Sequence, residues 1–324
     1  MHEAVLTPED EQYLTLLEDR RDQHFTTAPL LSGFRVLTLF SYEDLNGRTD
    51  KFVIGANAEC ANIGGATCAE RAAMAQLQLL PVRRVRKIYI VSDSPQCLTP
   101  GTLCREFLLS SPLVEENTPF VSRAAKCQPC VTTLAELYPF PSLYDRVPRS
   151  QVLPFARKFC SQFATELQQE SENVTPFVKL QLSRMAPDEK EVYLKALAAT
   201  EKDARDDLFP LRYAAGTRFS DGEVRVTWQH KTLEYGSSLD AVSKLIPFVE
   251  AKQNSVNPQF LMQVDQFGIL HAPFARARAY FFEFGFFDVP ALVHDAKGEL
   301  HRVPIDILVA DSPDCIAAST AAVQ

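Results

Sequence analysis

Turn residues that precede strands and helices in the first half of this chain recur in the second half, each about the same number of positions later. The paired residues are separated by 172, 173 and 171 positions and occur in the same order. They are Gly64 and Gly236, Pro100 and Pro273, and Pro119 and Pro290. Glycine and proline punctuate secondary structure because one frees the backbone and the other restricts it. Three matches in register predict that one structural unit occurs twice.

Hydrophobic periodicity in the first half of the chain alternates between helix and strand. Residues 8–22 and 66–80 have helical spacing, whereas 36–40, 52–54 and 87–91 are short apolar runs typical of strands. Elements of these lengths in alternation indicate an α/β fold. We expect a three-layer α-β-α sandwich with a mixed five-stranded sheet, duplicated in tandem.

The repeat divides the 324 residues into three parts. Residues 1–147 form the first copy and residues 186–324 form the second. The segment between them, 148–185, carries phenylalanines at helical spacing and then a polar run. We interpret 148–185 as a helical linker that packs on both copies.

Composition and charge argue against several classes of function. Hydrophobic residues make up 46% of the chain, and its formal net charge is −8. An acidic chain is poorly suited to bind a phosphate backbone, so we expect no nucleic-acid partner and interpret the basic run 83–87 as a solvated turn. No apolar stretch reaches the ~18 residues of a membrane span, and the N-terminus lacks a signal-peptide pattern. The expected location is therefore the cytoplasm, with no membrane partner.

The cysteines are concentrated in the first copy. Six of the eight lie between residues 60 and 130, in a chain whose apolar content makes a disulfide scaffold unnecessary. They are Cys60, Cys68, Cys97, Cys104, Cys127 and Cys130. Clustered thiols in such a chain indicate a metal site or a catalytic site.

Two of these cysteines, Cys68 and Cys104, fall at the predicted starts of helices. A helix N-terminus carries a partial positive charge, which lowers the pKa of a thiol and favours the thiolate that a metal binds. Glu70, two residues beyond Cys68, would lie close to a bound metal without having to ligate it. A carboxylate in that position can take protons from a metal-bound water and return them. The pattern predicts a catalytic zinc site.

The sequence around these residues resembles the zinc-dependent cytidine deaminase family. That family has a Cys/His-Ala-Glu triplet on one helix and Pro-Cys-x-x-Cys on the next, and segments 68–70 and 100–104 resemble the two motifs. Asn57 lies eleven residues before Cys68, the spacing of the Asn-x-Glu pair in deaminases of free nucleosides. Segments 32–36 and 137–140 resemble the first strand and the C-terminal segment of the family.

The resemblance implies a role for each matching residue. Cys68 and Cys104 would be zinc ligands, and Glu70 would shuttle protons between a zinc-bound water and the pyrimidine. Arg71 would temper the charge of the thiolates. The nucleoside would contact Asn57 and Glu59 at the ribose, Phe34 near the base, and Ala69.

The activity implied is hydrolytic deamination of cytidine or deoxycytidine to the uridine nucleoside, as in pyrimidine salvage. Family members complete each pocket with residues of a neighbouring subunit, here including Phe140. The resemblance therefore also implies a homodimer.

One zinc ligand of the family pattern is replaced in this chain. The middle ligand position falls on Gly101, which leaves two of the three protein ligands that catalytic zinc sites ordinarily have. Cys97, four residues upstream, could supply the third ligand if the intervening loop is remodelled. The alternative is a catalytically inactive protein of this fold that binds nucleosides or serves as a scaffold.

The sequence Cys127-Gln128-Pro129-Cys130 is a second concentration of thiols. The repeat offset places Cys127 at a hairpin turn rather than after a βα unit, which argues against a thioredoxin-type motif. These cysteines could rescue the zinc site, bind a separate structural metal, or have no role.

The second copy lacks the chemistry of the first. By the repeat offset, Asp240-Ala241-Val242 occupies the place of Cys68-Ala69-Glu70, and Gln229 stands where Asn57 does. No thiol and no proton shuttle remain at these positions. We interpret the second copy as a degenerate, structural half.

Overall fold

A computed structural model of the chain describes residues 2–3, 5–25, 29, 31–124, 127–163, 175–252 and 256–310. The chain divides into two compact units, Met1–Pro139 with Val309–Gln324, and Phe140–Leu308. The predicted linker 148–185 falls within the second unit. Its polar run 168–173 lies outside the described residues, as does Cys315.

The first unit contains a mixed sheet with the strand order β1-β6-β5-β4-β2-β3. All neighbouring strands are antiparallel except β4 and β5, which are parallel, so the sheet is mixed as predicted. The helices and strands are β1 His2–Glu3, α1 Pro8–His24, β2 Val36–Asp44, β3 Lys51–Ala56, α2 Ala69–Leu77, β4 Val82–Ser92, α3 Thr102–Leu109, β5 Pro119–Ala124, β6 Cys127–Thr133 and α4 Leu134–Leu137. A short 3₁₀ turn, Ile63–Gly65, precedes α2.

Helices cover both faces of this sheet. Tyr13, Leu14 and Leu17 of α1 pack against the side chains of β2 and β4 that point to one face. On the other face α2 approaches the backbone of β3 at Gly55, where a Cβ atom would lie 2.1 Å from the carbonyl oxygen of Ala69. Only glycine permits this approach, because any side chain would overlap the helix backbone. The result is the predicted three-layer sandwich.

The second unit repeats this strand order as β12-β11-β9-β7-β8, with the short β10 paired to β9. Again one pair, β9 and β11, is parallel. The helices and strands are α5 Val152–Gln162, α6 Pro176–Ser183, α7 Pro187–Ala199, β7 Tyr213–Phe219, β8 Val224–Trp228, α8 Ile246–Glu250, β9 Pro258–Asp265, β10 Leu270–His271, α9 Ala275–Glu283, β11 Pro290–His294, β12 Leu300–Pro304 and α10 Ile305–Leu308. Short 3₁₀ turns lie at Arg149–Gln151, Thr200–Lys202, Tyr235–Ser237 and Ser243–Leu245.

The two units share local detail as well as strand order. An isolated antiparallel bridge joins Ala58 to Thr67 in the first unit, and His230 to Leu239 in the second. Each bridge closes a loop that contains a 3₁₀ turn. The second residue of the bridge directly precedes Cys68 in the first unit and Asp240 in the second, where the next helical segment begins. The structure thus contains two α/β units with mixed sheets, as the repeat predicts.

Each unit also contains one fully buried arginine in an equivalent place. Arg105 of α3 donates to the carbonyl oxygens of Pro100 (2.7 Å) and Leu137 (2.8 Å). Arg278 of α9 donates to the carbonyl oxygens of Pro273 and Leu308 in the same way, at 2.6 and 3.3 Å. A buried guanidinium is costly unless its donors are satisfied. These bonds satisfy it and connect the start of α3 or α9 to the short helix that follows the last strand of the unit.

The interpretation of residues 83–87 as a solvated turn is wrong, because β4 already begins at Val82. Cationic side chains of the run form ion pairs with acidic residues. Arg83 and Arg84 contact the two carboxylate oxygens of Glu43 at 2.8 and 2.9 Å, and Lys87 contacts Asp10 at 2.7 Å. Periodicity alone missed this part of the strand because charges interrupt its apolar pattern.

No helix in the described part of the chain combines the length and the hydrophobicity needed to cross a membrane.

Candidate active site

Two helix N-termini of the first unit bring Cys68 and Cys104 together. Cys68 is the residue that precedes α2, and its side chain makes no capping hydrogen bond to the helix. Cys104 lies in the first turn of α3 and is buried. Both thiols therefore lie where free backbone N–H groups and the helix dipole favour a negative charge.

Glu70 completes this cluster. Ligand atoms of Cys68, Glu70 and Cys104 all lie within 4.8 Å of one another. Among the described residues only one other trio of metal-ligating side chains comes this close, Asp295, Glu299 and His301 at the β11–β12 hairpin of the second unit. The structure thus brings together the two cysteines and the glutamate that the sequence singled out.

Burial determines the protonation of this cluster in the metal-free chain. Burial, and next the charge on the Cys68 sulfur, raises the pKa of Glu70 to about 7. The hydrogen bond with Cys68, together with burial, raises the pKa of the Cys104 thiol well above its usual range, so the lowering predicted from its place at a helix start is wrong for the metal-free chain. In both cases a group that can carry negative charge is buried beside others of the same sign, which disfavours its charged form.

Arg71 supplies positive charge beside the thiols. Its Nη2 lies 3.7 Å from the sulfur of Cys68 and donates to the carbonyl oxygen of Ala66 at 2.9 Å. Its Nε is buried without a hydrogen-bond partner, as is the Oγ1 of Thr102 at the start of α3. Buried polar atoms without partners are uncommon and often mark a place for a water, an ion or a ligand.

The cluster lies at a cavity of about 260 Å³. Of the predicted site residues, six line it: Phe34, Asn57, Glu59, Cys68, Ala69 and Glu70. The remaining lining residues are Ser32, Val36, Ala58, Ala66, Thr67, Ile90, Leu98, Thr99 and Gly101. No lysine or arginine is among these described lining residues.

Asn57 and Glu59 line the cavity, but their polar atoms already bind the chain. The Asn57 amide accepts from the backbone N–H of Val36 at 2.9 Å and donates to the carbonyl oxygen of Phe34 at 2.8 Å. The Glu59 carboxylate accepts from the backbone N–H groups of Leu31 and Ser32, at 2.7 and 2.9 Å, and from the Ser32 hydroxyl. Both residues thereby hold the segment that places Phe34 at the cavity wall.

Gly101 leaves the third ligand position open. It precedes α3 with φ −61° and ψ 157°, a conformation that any residue can adopt, and a Cβ atom there would meet nothing within 4 Å. The backbone therefore does not require glycine at this position. A larger side chain, including the cysteine of the family pattern, would fit.

The structure does not bring Cys97 to the cluster. The sulfur of Cys97 lies 3.0 Å from the sulfur of Cys127 and contacts the carbonyl oxygens of Ser122 and Gln128, both at 3.3 Å. Cys60 is exposed, and its thiol contacts the carbonyl oxygen of Asn62. Phe140 belongs to the second unit, where its ring packs 5.6 Å from His301.

The donors present suit zinc, because two thiols and a carboxyl group at one point are ligands that zinc accepts. Cys68 and Cys104 could hold the ion, with Arg71 offsetting part of the thiolate charge. Glu70 is close enough either to ligate the ion or to exchange protons beside it. The thiol–carboxylate cluster at the cavity of this α/β unit is therefore a candidate metal-dependent site.

Sequence reasoning did not identify Leu98 and Thr99 as cavity residues. It also missed that Arg105 holds the side chain of Thr99 in place. Arg105 donates to the hydroxyl of Thr99 at 2.9 Å as well as to the carbonyl oxygen of Pro100. The available signal was position: both residues follow β4 and precede Cys104, where loops at the ends of parallel strands form binding sites.

No protein-family model and no curated protein matches the chain. Solved structures similar to it include a cytidine deaminase from Burkholderia pseudomallei, with 21% sequence identity and a TM-score of 0.36. The matched region covers 42% of this chain and 100% of the Burkholderia chain. A cytidine deaminase from Mycobacterium leprae has 16% identity and a TM-score of 0.32, and the match covers 38% of this chain and 98% of that one. A cytidine deaminase from Bacillus anthracis has 15% identity and a TM-score of 0.34, and the match covers 41% of this chain and 94% of that one.

Proposed function

We propose that the first unit is a zinc-dependent hydrolase that deaminates cytidine or deoxycytidine to the corresponding uridine nucleoside. The observation that carries the proposal is the convergence of Cys68, Glu70 and Cys104 within 4.8 Å beside a cavity. The resemblance of the surrounding sequence to cytidine deaminases supplies the substrate class. A free nucleoside is favoured over a nucleotide because no described residue of the cavity wall carries a cation for a phosphate.

In this proposal Cys68 and Cys104 hold the zinc ion from two helix N-termini. Zinc, when bound, lowers the pKa of a water molecule so that a strong nucleophile exists near neutral pH. Gly101 supplies no ligand, so the ion is bound more weakly than by three protein ligands. Arg71 offsets the negative charge of the two thiolates.

Glu70 moves the protons. Its carboxyl group is buried at the cavity, within reach of both thiols and of a substrate that enters there. It takes a proton from the attacking water and gives it to N3 of the pyrimidine, and then takes the proton of the new hydroxyl group at C4 and gives it to the amino group, which leaves as ammonia. A carboxyl group suits this work when its pKa lies near the working pH.

Asn57, Glu59, Phe34 and Ala69 form the wall that orients the nucleoside. Asn57 and Glu59 fix the segment that carries Phe34, and each retains acceptor capacity that ribose hydroxyls could use. The Phe34 ring would stack near the base. The proposal further includes a homodimer, with the second copy as its structural half.

A second candidate function is a nucleoside-binding or scaffold protein without catalysis. The open space at Gly101 favours it, because a site with two thiolates would lose zinc readily and retain the cavity. In that case Glu70 would hydrogen-bond a ligand instead of transferring protons.

One experiment separates the two functions. Zinc per chain is measured on the purified protein, and the loss of cytidine absorbance is followed for wild type, Glu70→Gln and Gly101→Cys. Zinc in the wild type, with turnover that Glu70→Gln lowers by about 10²–10⁴-fold, supports the enzyme. If the wild type has neither zinc nor turnover and Gly101→Cys restores both, the natural chain is a binding protein.

The variant Cys97→Ala tests where the third ligand comes from. With Cys97 engaged by Cys127, the substitution is expected to leave zinc content and turnover unchanged. Loss of both would show that the loop moves and that Cys97 ligates the ion.

A further inference from the structure

A second group of thiols lies in the first unit, apart from the Cys68 cluster. Cys97 is buried, on the loop between β4 and α3, whereas Cys127 and Cys130 are half-buried on β6. The sulfurs of Cys97 and Cys127 are 3.0 Å apart, and the sulfur of Cys127 also accepts from the backbone N–H of Cys97 at 3.1 Å. Two sulfurs at this distance are about 1 Å from the length of a disulfide bond.

The arrangement does not suit a metal ion. A tetrahedral zinc site brings all its sulfurs within ~4 Å of one another, because each Zn–S bond is ~2.3 Å long. Among the described residues these three thiols do not form a trio within 4.8 Å, whereas Cys68, Glu70 and Cys104 do. Two close sulfurs with a third nearby are instead the arrangement of a dithiol that oxidises and is reduced again.

We propose that Cys97 and Cys127 form a reversible disulfide that links the wall of the cavity to the β5–β6 hairpin. The link reaches the cavity because Cys97 immediately precedes Leu98 and Thr99, which line it. On the other side, Cys127 begins β6, opposite Ala124 of β5. A bond between the two sulfurs therefore constrains the loop that leads to Gly101 and Cys104.

The oxidant is a hydroperoxide, and each step balances. The Cys127 thiol is the more accessible of the two, so its sulfur attacks the peroxide and breaks the O–O bond. This gives a sulfenic acid and one water molecule when the peroxide is hydrogen peroxide. The Cys97 sulfur then attacks the Cys127 sulfur, the S–O bond breaks and a second water leaves. Two thiols have lost two electrons and two hydrogens, and the peroxide has become two waters.

The environment of Cys97 keeps it unreactive until Cys127 is oxidised. Burial, and next the contact with Cys127, raises the pKa of the Cys97 thiol above its ordinary range. A buried thiol with a raised pKa is a poor target for peroxide in bulk water. It can still attack a sulfenic acid that lies in contact with it, because proximity replaces the need for a high thiolate fraction.

The test uses the full chain and hydrogen peroxide. Free thiols are blocked with N-ethylmaleimide after oxidation, and proteolytic peptides are analysed by mass spectrometry. We expect a linked Cys97–Cys127 peptide that dithiothreitol reverses. Cys127→Ser should abolish it, and the matched control Cys160→Ser should leave it unchanged. Unfolding transitions of the reduced variants establish that both are folded.

Hydrogen exchange measures the effect on the cavity. Oxidation should slow exchange of backbone amides in residues 97–101 of wild type several-fold, and should not do so in Cys127→Ser. A Cys127–Cys130 disulfide, or oxidation confined to Cys60, would overturn the proposal. So would a metal ion that survives Cys68→Ser together with Cys104→Ser and is lost in Cys97→Ser. An unchanged exchange rate in the oxidised wild type would overturn the link to the cavity.

Discussion

The residues at the starts of the two equivalent helical segments, Cys68 and Asp240, use their side chains in opposite ways. Asp240 caps the turn that begins its segment: its carboxylate accepts from the backbone N–H of Ser243 at 2.8 Å and from the Ser243 hydroxyl. Cys68 makes no such bond to α2, and its sulfur lies with Glu70 and Cys104 instead. One copy uses the position for a side-chain cap, whereas in the other the side chain contacts Arg71 and Cys104 instead of capping the helix.

The same contrast occurs at the start of the next helix. Gly101 precedes α3 and leaves open space, whereas Phe274 precedes α9 and fills its surroundings, with its ring 5.4 Å from that of Tyr213. The second copy has thus closed both positions at which the first could hold a ligand. The comparison indicates that the first copy gives up local stability at these positions in exchange for a site.

The largest expected effect comes from the two cap residues. Cys68→Ala should lower zinc affinity by at least 10²-fold, because only Cys104 and Glu70 would remain. It should change the free energy of unfolding of the metal-free chain by under about 0.5 kcal/mol. Asp240→Ala should do the reverse, with about 1 kcal/mol lost with the cap and no change in zinc. Zinc titration and urea unfolding check both; a cap-like stability loss in Cys68→Ala would remove the contrast.

The buried arginines should cost similar amounts of stability but differ at the site. Arg105→Met and Arg278→Met each leave carbonyl oxygens unsatisfied in a buried place and should cost about 2–4 kcal/mol. Only Arg105→Met should also lower zinc affinity, since Arg105 holds Thr99 and Pro100 beside the cluster. Thermal unfolding and metal analysis measure the two effects. Equal zinc contents in both variants would show that the arginine is purely structural in each copy.

The first helices of the two copies should respond differently to acid. Burial alone would raise the pKa of Asp10, but hydrogen bonds from Lys87, Thr7 and Tyr89 outweigh it and lower the pKa to about 2. Because the folded-state pKa lies below the unfolded value of ~3.9, the stabilisation is complete above pH ~4 and is lost as the pH falls through 2. The loss should be of order 1–2 kcal/mol after allowance for solvent screening.

Asp10→Asn should remove that part of the pH dependence, which unfolding at a series of pH values measures. Glu189 of α7 occupies the corresponding place in the second copy, accepting from the backbone N–H of Ala186 at 2.8 Å. Its pKa is also lowered, because the Arg302 guanidinium outweighs the effect of burial. Glu189→Gln is therefore the matched variant, and its effect should begin at slightly higher pH because the unfolded pKa of a glutamate, ~4.3, lies above the ~3.9 of an aspartate. Identical acid profiles for the two variants would contradict the assignment.

The smallest expected effect is that of a methyl group at the open position. Gly101→Ala should stabilise the first unit by about 0.4–1 kcal/mol, because it restricts the unfolded chain and its Cβ meets no atom. Zinc content should not change, since alanine offers no ligand. Phe274→Ala, the equivalent change in the second copy, should destabilise because an aromatic contact is lost. Urea midpoints of the two variants should therefore shift in opposite directions.

Much of the fold could be predicted from local sequence. The repeat offsets matched positions that the structure also places alike: Gly64 and Gly236 each lie in a 3₁₀ turn, and Pro100 and Pro273 each lie two residues before a helix. Charged residues within β4 hid the first half of that strand, since their partners, Glu43 and Asp10, are distant in sequence.

The candidate site divides in the same way. Cys68, Glu70 and Cys104 were predictable because both cysteines stand at predicted helix starts and Glu70 is two residues from Cys68. The partner of Cys97 was not, because no motif or helix start connects Cys97 to Cys127 and only strand pairing brings Cys127 near. The hydrogen bonds of Asn57 and Glu59 to residues 31–36 were equally inaccessible, since they depend on where a loop crosses the sheet edge.

Each buried arginine has one further hydrogen-bond acceptor, and its position in the sequence affects how the protein is synthesised. Arg105 donates to the carbonyl oxygen of Ala310, and Arg278 donates to that of Phe140 at 2.7 Å. Ala310 belongs to the first unit although it follows the whole second unit in sequence. During synthesis, therefore, the first unit lacks one of its own contacts until the second unit has been synthesised. A fragment that ends at residue 139 would carry the entire thiol–carboxylate cluster and still be an incomplete folding unit.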